Sequence, residues 1–280
     1  AKNHRHVLVA TNPDRYHGIV GALKEAGKVD HVDMNLRRSL ALEAFEHTAM
    51  YDSIIANELH KRYVGNPTAH KGAANQQPYL PSQVLSGYTN RQPLRYGENA
   101  HHAAALYTSP ANLAGHTTLV TAKVEGGKAM SYNNYTDADA TLRLCRSLST
   151  DEWPETPHAC VIVKHNNPCG AALGATQKEA FEAALASDPE SAFGSIICFN
   201  ETVEAETAEA VGTLFVEVMM APAFTPEAHQ LLTAKDKRRL LTIDCPNGLL
   251  DPLEQIRVHN LLESGSLVQS ENTSIIDWSQ

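Results

Sequence analysis

A chain of 280 residues with 42% hydrophobic and 20% charged content is long enough for one large domain or two small ones, with cores that need no staples. Its net charge of −9 argues against nonspecific nucleic-acid binding, which needs clustered Lys and Arg, but leaves room for a basic pocket around one anionic ligand. Five scattered cysteines, Cys145, Cys160, Cys169, Cys198 and Cys245, form no CxxC pair, so the sequence reads as reduced thiols in a cytoplasmic setting. No apolar run reaches the roughly 18 residues a membrane span needs.

In chain order, "AKNHRHVLVA" lacks both a signal-peptide pattern and an initiator Met, which reads as a processed or excerpted chain. Within it "VLVA" (7–10) predicts a short strand, and "TNPDRYHGIVGALKEAG" a turn followed by an amphipathic helix. "SLALEAFEHTAMYDSIIANELHKRY" is rich in helix formers and would place Leu42, Phe45, Ala49 and Ile54 on one face. Residues 64–94 turn rich in Pro, Gly, Asn and Gln, which marks a linker or extended arm between a region 1–63 and a region 95–280.

Beyond the linker, strand and helix patterns alternate. "TLVTAKVE" predicts a strand, "DADATLRLCRSL" a helix opened by Asp137, "ACVIVKH" a buried strand and "TQKEAFEAALAS" a helix. "AFGSIICFN" is a strand, "EAETAEAVGTLF" a helix, "VEVMMAP" a strand and "RLLTID" a last strand. The alternation implies an α/β fold, helices layered on a mixed or parallel sheet.

Several stretches carry chemistry. In "VIVKHNNPCG" a buried strand runs into Lys164 and His165, and Pro168 should break the ladder there and leave Gly170 free to turn. Strand ends are where open α/β sheets collect their chemistry. An imidazole there can take a proton from an amine or hydroxyl, and a neighbouring ammonium can hold an oxyanion or protonate a leaving nitrogen. A solvated turn with a packed histidine is the competing reading. A zinc deaminase would need PCxxC with an HxE motif; here Ala172 replaces the second cysteine, so no metal is expected.

"LRYGENAHHAAALY" sets Arg95 and Tyr96 on a turn that suits a phosphate and a flat heterocycle. His101 and His102 would need a third ligand to hold a metal, and a polar turn into a strand is the plainer reading. "GGKAMSYNNYTDADA" lacks the phosphate-loop spacing. Its Asn133, Asn134 and Asp137 read as a turn and helix cap, with an Asn amide able to contact a carboxamide. Gly194 in "SAFGS" offers close backbone approach, and Glu217 inside an apolar strand needs a partner, either an ion pair or a ligand.

Taken together and in this order, these segments are similar to a family of bifunctional purine-biosynthesis enzymes that join AICAR formyltransferase to IMP cyclohydrolase. The family's R-Y-G-x-N-x-H, S-Y-N-N-x-x-D, K-H-x-N-P-C-G and S-A-F-G segments match residues 95–101, 131–137, 164–170 and 191–194. "AKNH" and "AFEHTAxYDSxIAN" look like the end of a cyclohydrolase domain and its connector. The chain departs from the pattern at His102, usually Gln, and at Ala100, often Pro or Ser.

The resemblance implies formyl transfer from 10-formyltetrahydrofolate, a co-substrate, to the 5-amino group of AICAR. By position His165 would be the general base and Lys164 the transition-state stabiliser. Arg95 and Tyr96 would contact AICAR from the partner subunit of a homodimer. His101, Asn134, Gly194 and Glu217 would line the nucleotide pocket, and Lys2 matches a lysine of the cyclohydrolase reaction. The implied fold of 95–280 is the first half of a cytidine-deaminase-like formyltransferase domain. A truncated, noncatalytic nucleotide-binding or dimerisation module is the alternative.

Overall fold

Buried β-branched residues, Val161, Ile162 and Val163, sit on an interior strand of the chain's main sheet, as a run apolar on both faces requires. The computed structural model describes residues 1–64, 83–109, 117–148, 154–234, 237–244, 256–260 and 265–270. It divides into two compact units, Ala1–Gly87 and Tyr88–Gln280. The expected linker 64–94 falls largely on residues outside those described, but Thr89–Leu94 at its end is a strand, β1.

In the first unit, a 3-10 turn at Pro13–Arg15 leads into helix α1, Tyr16–Ala26, closed by Gly27 at φ 71°. Helix α2 is Met34–Val64. The "VLVA" segment is not a strand: no described strand lies in this unit to pair with it, and an unpaired extended run leaves its backbone groups to water. The face expected to be buried on α2 is also wrong. Leu42, Phe45 and Ile54 are exposed, while Arg37, Leu40, Ala41 and Ala44 are buried. The cause is Arg37, whose guanidinium donates to the carbonyls of Arg5 and Asp30 and clasps that side of α2.

The second unit begins with an antiparallel pair, β1 and β2 (Ala104–Thr108). Its main sheet uses β3 (Lys123–Glu125), β4 (His158–Lys164), β5 (Asn167–Gly174), β6 (Ser195–Phe199), β7 (Val216–Ala221) and β8 (Arg239–Thr242). The order is β3-β8-β7-β6-β4-β5, with β6, β7 and β8 parallel and the remaining pairings antiparallel. This is the mixed α/β layering the alternation implied. Helix α3 (Tyr132–Leu148) covers one face through Ala138, Leu142 and Cys145. Helices α4 (Gln177–Ser187), α5 (Ala205–Val211) and α6 (Pro226–Thr233) cover the other through residues such as Phe181, Val211 and Leu232. "RLLTID" is not the last strand; a separate hairpin, β9 (Ile256–Asn260) and β10 (Ser266–Ser270), follows.

Three local outcomes differ from the sequence reading, each for a physical reason. Helix α3 starts five residues before Asp137, because Ser131 caps it. Ser131 Oγ accepts from the Asn134 amide at 3.1 Å and Asn134 Oδ1 accepts from the Ser131 amide at 3.1 Å, a reciprocal box with Asn in the place of Glu. Only Lys123–Glu125 of "TLVTAKVE" is strand, since Thr118–Ala122 folds into a turn on the Thr118 carbonyl. After Lys164 the chain does not leave the sheet: it reverses into β5. Pro168 is tolerated there because β5 is an edge strand whose outer side needs no donors. Gly170 is not a turn residue. A Cβ there would stand 1.9 Å from the Ala184 carbonyl oxygen, so it is the gap through which α4 packs on β5.

Gly170→Ala should therefore lower stability by about 2–4 kcal/mol, since the Ala184 atoms it would meet are all backbone. Gly21→Ala in α1, where nothing lies within 4 Å, should be neutral or stabilising by up to about 1 kcal/mol. Urea denaturation of the two variants checks the contrast. Ser131→Ala should cost about 1 kcal/mol by the same measurement, through loss of the cap.

Candidate active site

The topology gathers the chemistry at one edge of the sheet. Lys164 ends β4, while Gly194 precedes β6, Glu217 is the second residue of β7 and Arg239 the first of β8. Because β4 runs against β6 and the three later strands run together, all four positions lie on the same side. This is the amino end of the parallel strands, opposite to the end where open parallel sheets usually bind ligands.

Two β-bulges sit at this edge. Between β6 and β7, Ser195 pairs with Val216 but Ile196 with Val218, which leaves Glu217 as the extra residue. An extra residue is released from strict alternation, so Glu217 can turn towards α3 although Val218 also faces that side. Its Oε2 accepts from Asn134 Nδ2 at 2.8 Å. Arg239 Nη1 stands 3.8 Å from the same Oε2 and donates to the Glu217 carbonyl at 3.3 Å. Arg239 is 6% exposed and also donates through Nε to the Lys128 carbonyl. Burial pulls its pKa down, Glu217 opposes that shift, and the nearby charge of Arg95 adds to it.

Between β4 and β5, Val163 pairs with Pro168 but Ile162 with Gly170, leaving Cys169 as the extra residue. Burial chiefly pushes the Cys169 thiol up, and Asp188 adds to the shift. His165 and Asn166 form the two-residue turn between these strands, both left-handed, at φ 54° and 62°. This is the turn geometry that suits the twist of a tight hairpin. His165 is exposed. The Asn166 amide donates to Asp137 Oδ1 at 2.7 Å, and Asn167 Nδ2 donates to the His165 carbonyl at 2.9 Å.

Lys164 Nζ donates to the Phe193 carbonyl at 2.8 Å and so links the His165 turn to the Gly194 turn. Gly194 adopts φ 79°, and its amide donates to the Phe215 carbonyl at 2.7 Å. Asp188 braces the same turn by accepting from the Ser191 amide at 3.0 Å. Hydrogen bonds from Ser191, side chain first, then backbone, hold its carboxyl below the ordinary value. Phe193 itself is 60% exposed, with its ring 5.2 Å from that of Phe215.

Arg95 stacks over Tyr96, its guanidinium carbon 5.4 Å from the ring centre. The turn they open is closed by the Gly97 amide on the His102 carbonyl, and Asn133 Nδ2 reaches the Glu98 carbonyl on it at 3.4 Å. His101 is exposed and packs on His102, ring centres 4.1 Å apart. Lys2 is exposed in the first unit, in a turn held by the Ala1 and Asn3 carbonyls. Among the described residues, no group of three His, Cys, Asp or Glu is placed to hold a metal ion, and no helix is long and apolar enough to cross a membrane.

The second unit thus brings together Lys164 with the Gly194 turn, and Asn134 with Glu217, with Arg95 electrostatically close to Arg239. Sequence reasoning missed Arg239, Phe193 and the tether from Asp137. The Arg239 signal was present, since "RRLL" runs a cation straight into an apolar strand as "VIVK" does in reverse. What this edge offers is an exposed histidine on a fixed turn, an ammonium from the residue before it, and a carboxylate with an amide across the strand ends. That set can move a proton and orient a polar nucleophile.

Comparison with known proteins agrees with these motifs. The family described as AICARFT/IMPCHase bienzyme matches residues 1–280. The chain is 38% identical over 275 residues to a protein of Persephonella marina named bifunctional purine biosynthesis protein PurH, covering 98% of this chain and 48% of that one. It is 40% identical over 281 residues to the Desulfitobacterium hafniense protein of the same name, with 99% and 50% covered. For the Bacillus subtilis protein, again so named, the values are 38% over 244 residues, with 87% and 43% covered. The chain spans about half the length of these curated relatives. With the family's description matched from its first residue to its last, this chain belongs to the AICARFT/IMPCHase bienzyme family.

Proposed function

We propose that the second unit serves formyl transfer from 10-formyltetrahydrofolate to the 5-amino group of AICAR. The observation that carries the reading is the hairpin turn that holds His165 outward beside Lys164, with Lys164 bonded to the Gly194 turn. In this reading the amine nitrogen attacks the formyl carbon while His165 takes its proton. A tetrahedral oxyanion forms, and the Lys164 ammonium stabilises it. Collapse breaks the bond from the formyl carbon to the folate nitrogen, which leaves with the proton that His165 took from the amine. Glu217, held by Asn134, and the backbone at Gly194 orient the nucleotide, with Arg95, Tyr96 and His101 as further contacts. Folate is a substrate here, and the chemistry calls for no metal.

The same reading assigns residues 1–63 to the end of a cyclohydrolase domain, with Lys2 in its reaction, and 95–280 to the first half of a cytidine-deaminase-like formyltransferase domain. IMP cyclohydrolase activity belongs to the complete protein. A cytoplasmic homodimer that shares its sites through Arg95 and Tyr96 completes the proposal. The second reading is a noncatalytic nucleotide-binding or dimerisation module.

Calorimetry with AICAR and a formyl-transfer assay separate the two. Turnover supports the enzyme, and binding without turnover supports the module. His165→Ala should lower turnover by about 10²- to 10⁴-fold with the thermal midpoint unchanged. Turnover near that of the unaltered chain would remove His165 from the chemistry.

A further inference from the structure

We infer that Asp137 is a positioning residue that locks the left-handed turn presenting His165, a role resting on the formyl-transfer reading for its catalytic consequence. Among the described residues, His165 and Asn166 are the only non-glycine residues at positive φ. Side chains other than glycine resist that conformation, so a contact from outside the turn that fixes it offsets a real cost. The hairpin favours that geometry, but its closing pair is Lys164 with Asn167, and the Asn166 amide lies beyond it without a ladder partner.

Asp137 supplies the missing acceptor. Its Oδ1 takes the Asn166 amide at 2.7 Å, the length of a charge-assisted bond. With its amide nitrogen turned towards the acceptors, the Asn166 side chain also reaches Asp137 Oδ1 at 3.2 Å and the Thr136 carbonyl at 3.1 Å. The anchor is rigid, because α3 packs on the sheet through Ala138, which is fully buried next to Asp137, and through Leu142 and Cys145. A turn residue is thereby fixed by a helix 29 positions away in sequence, and the imidazole of His165 is carried on it. Neighbouring Asn167 Nδ2, on the His165 carbonyl, limits the same peptide from the other side.

The test compares the 280-residue chain with its Asp137→Ala and Asp137→Asn variants. Two readouts are taken: amide hydrogen exchange at Asn166 by NMR, and formyl-transfer kinetics. Asp137→Ala should speed Asn166 exchange by roughly ten- to a hundredfold, the range set by losing a bond to a charged acceptor. It should lower kcat by a similar factor while KM for AICAR moves by less than about threefold. Asp137→Asn keeps an acceptor oxygen and should recover both to within about fivefold of the unaltered chain.

Unchanged exchange in Asp137→Ala overturns the inference whatever the activity does. Faster exchange with undiminished kcat overturns the positioning role. An unaltered chain with no turnover sinks the formyl-transfer reading instead, and the exchange rates still decide whether Asp137 holds the turn. If Asp137→Ala fails to fold, Asp137→Asn decides: exchange and kcat that move together support the account, and fast exchange with undiminished kcat contradicts it.

Discussion

Two side chains one helical turn apart, Asn134 and Asp137 on α3, hold the irregular parts of this sheet edge in place. Residues three apart share a helix face, so one rigid helix can grip two strands at once. Asn134 takes Glu217 on the bulge of β7, and Asp137 takes the turn between β4 and β5. The balance at that turn is close. A residue in the left-handed region costs on the order of 1–3 kcal/mol, less for Asn than for His. A hydrogen bond to a charged acceptor returns about 1.5–3 kcal/mol. The helix thus adds its bond to a geometry that the hairpin already favours.

The two bulges explain how polar groups emerge from a sheet whose strands are buried on both faces. A regular β7 would alternate between the two cores and leave no place for a carboxylate. The extra residue at Glu217 and the extra residue at Cys169 relax that alternation at the same edge, one on each side of β6. Lys164 then spans from one irregularity to the other through the Phe193 carbonyl. Arg239, nearly buried, ties Glu217 to the segment that leads into α3. Lys164, Asn134, Glu217 and Arg239 are thus each fixed by another element, as a site that must hold its geometry requires.

Much of this was legible in the sequence, and the failures have causes. "VIVKHNNPCG" announced a buried strand ending in titratable groups, because β-branched runs and charged residues differ so sharply in burial cost. Yet Pro168 was read as a breaker, because a sequence does not say which strand will be at an edge, where proline is tolerated. Asp137 was read as a helix cap, since Asp favours that role and the competing Ser131–Asn134 box uses Asn where Glu or Gln is usual. Its long-range bond to Asn166 has no local pattern. On α2 the periodicity was visible but the buried face was not, because Arg37, a residue type expected outside, decides it. The order of the four motifs carried the family, and three-dimensional proximity was not needed for that.

The central claim is that the α3-held turn presents His165 to the amine of AICAR. Its most direct test is a crystal structure of the chain with AICAR bound. The account predicts the 5-amino nitrogen within about 2.6–3.2 Å of the His165 imidazole, with the Asp137–Asn166 bond intact. AICAR bound with its amine away from His165, or bound only after the turn has abandoned Asp137, would contradict it.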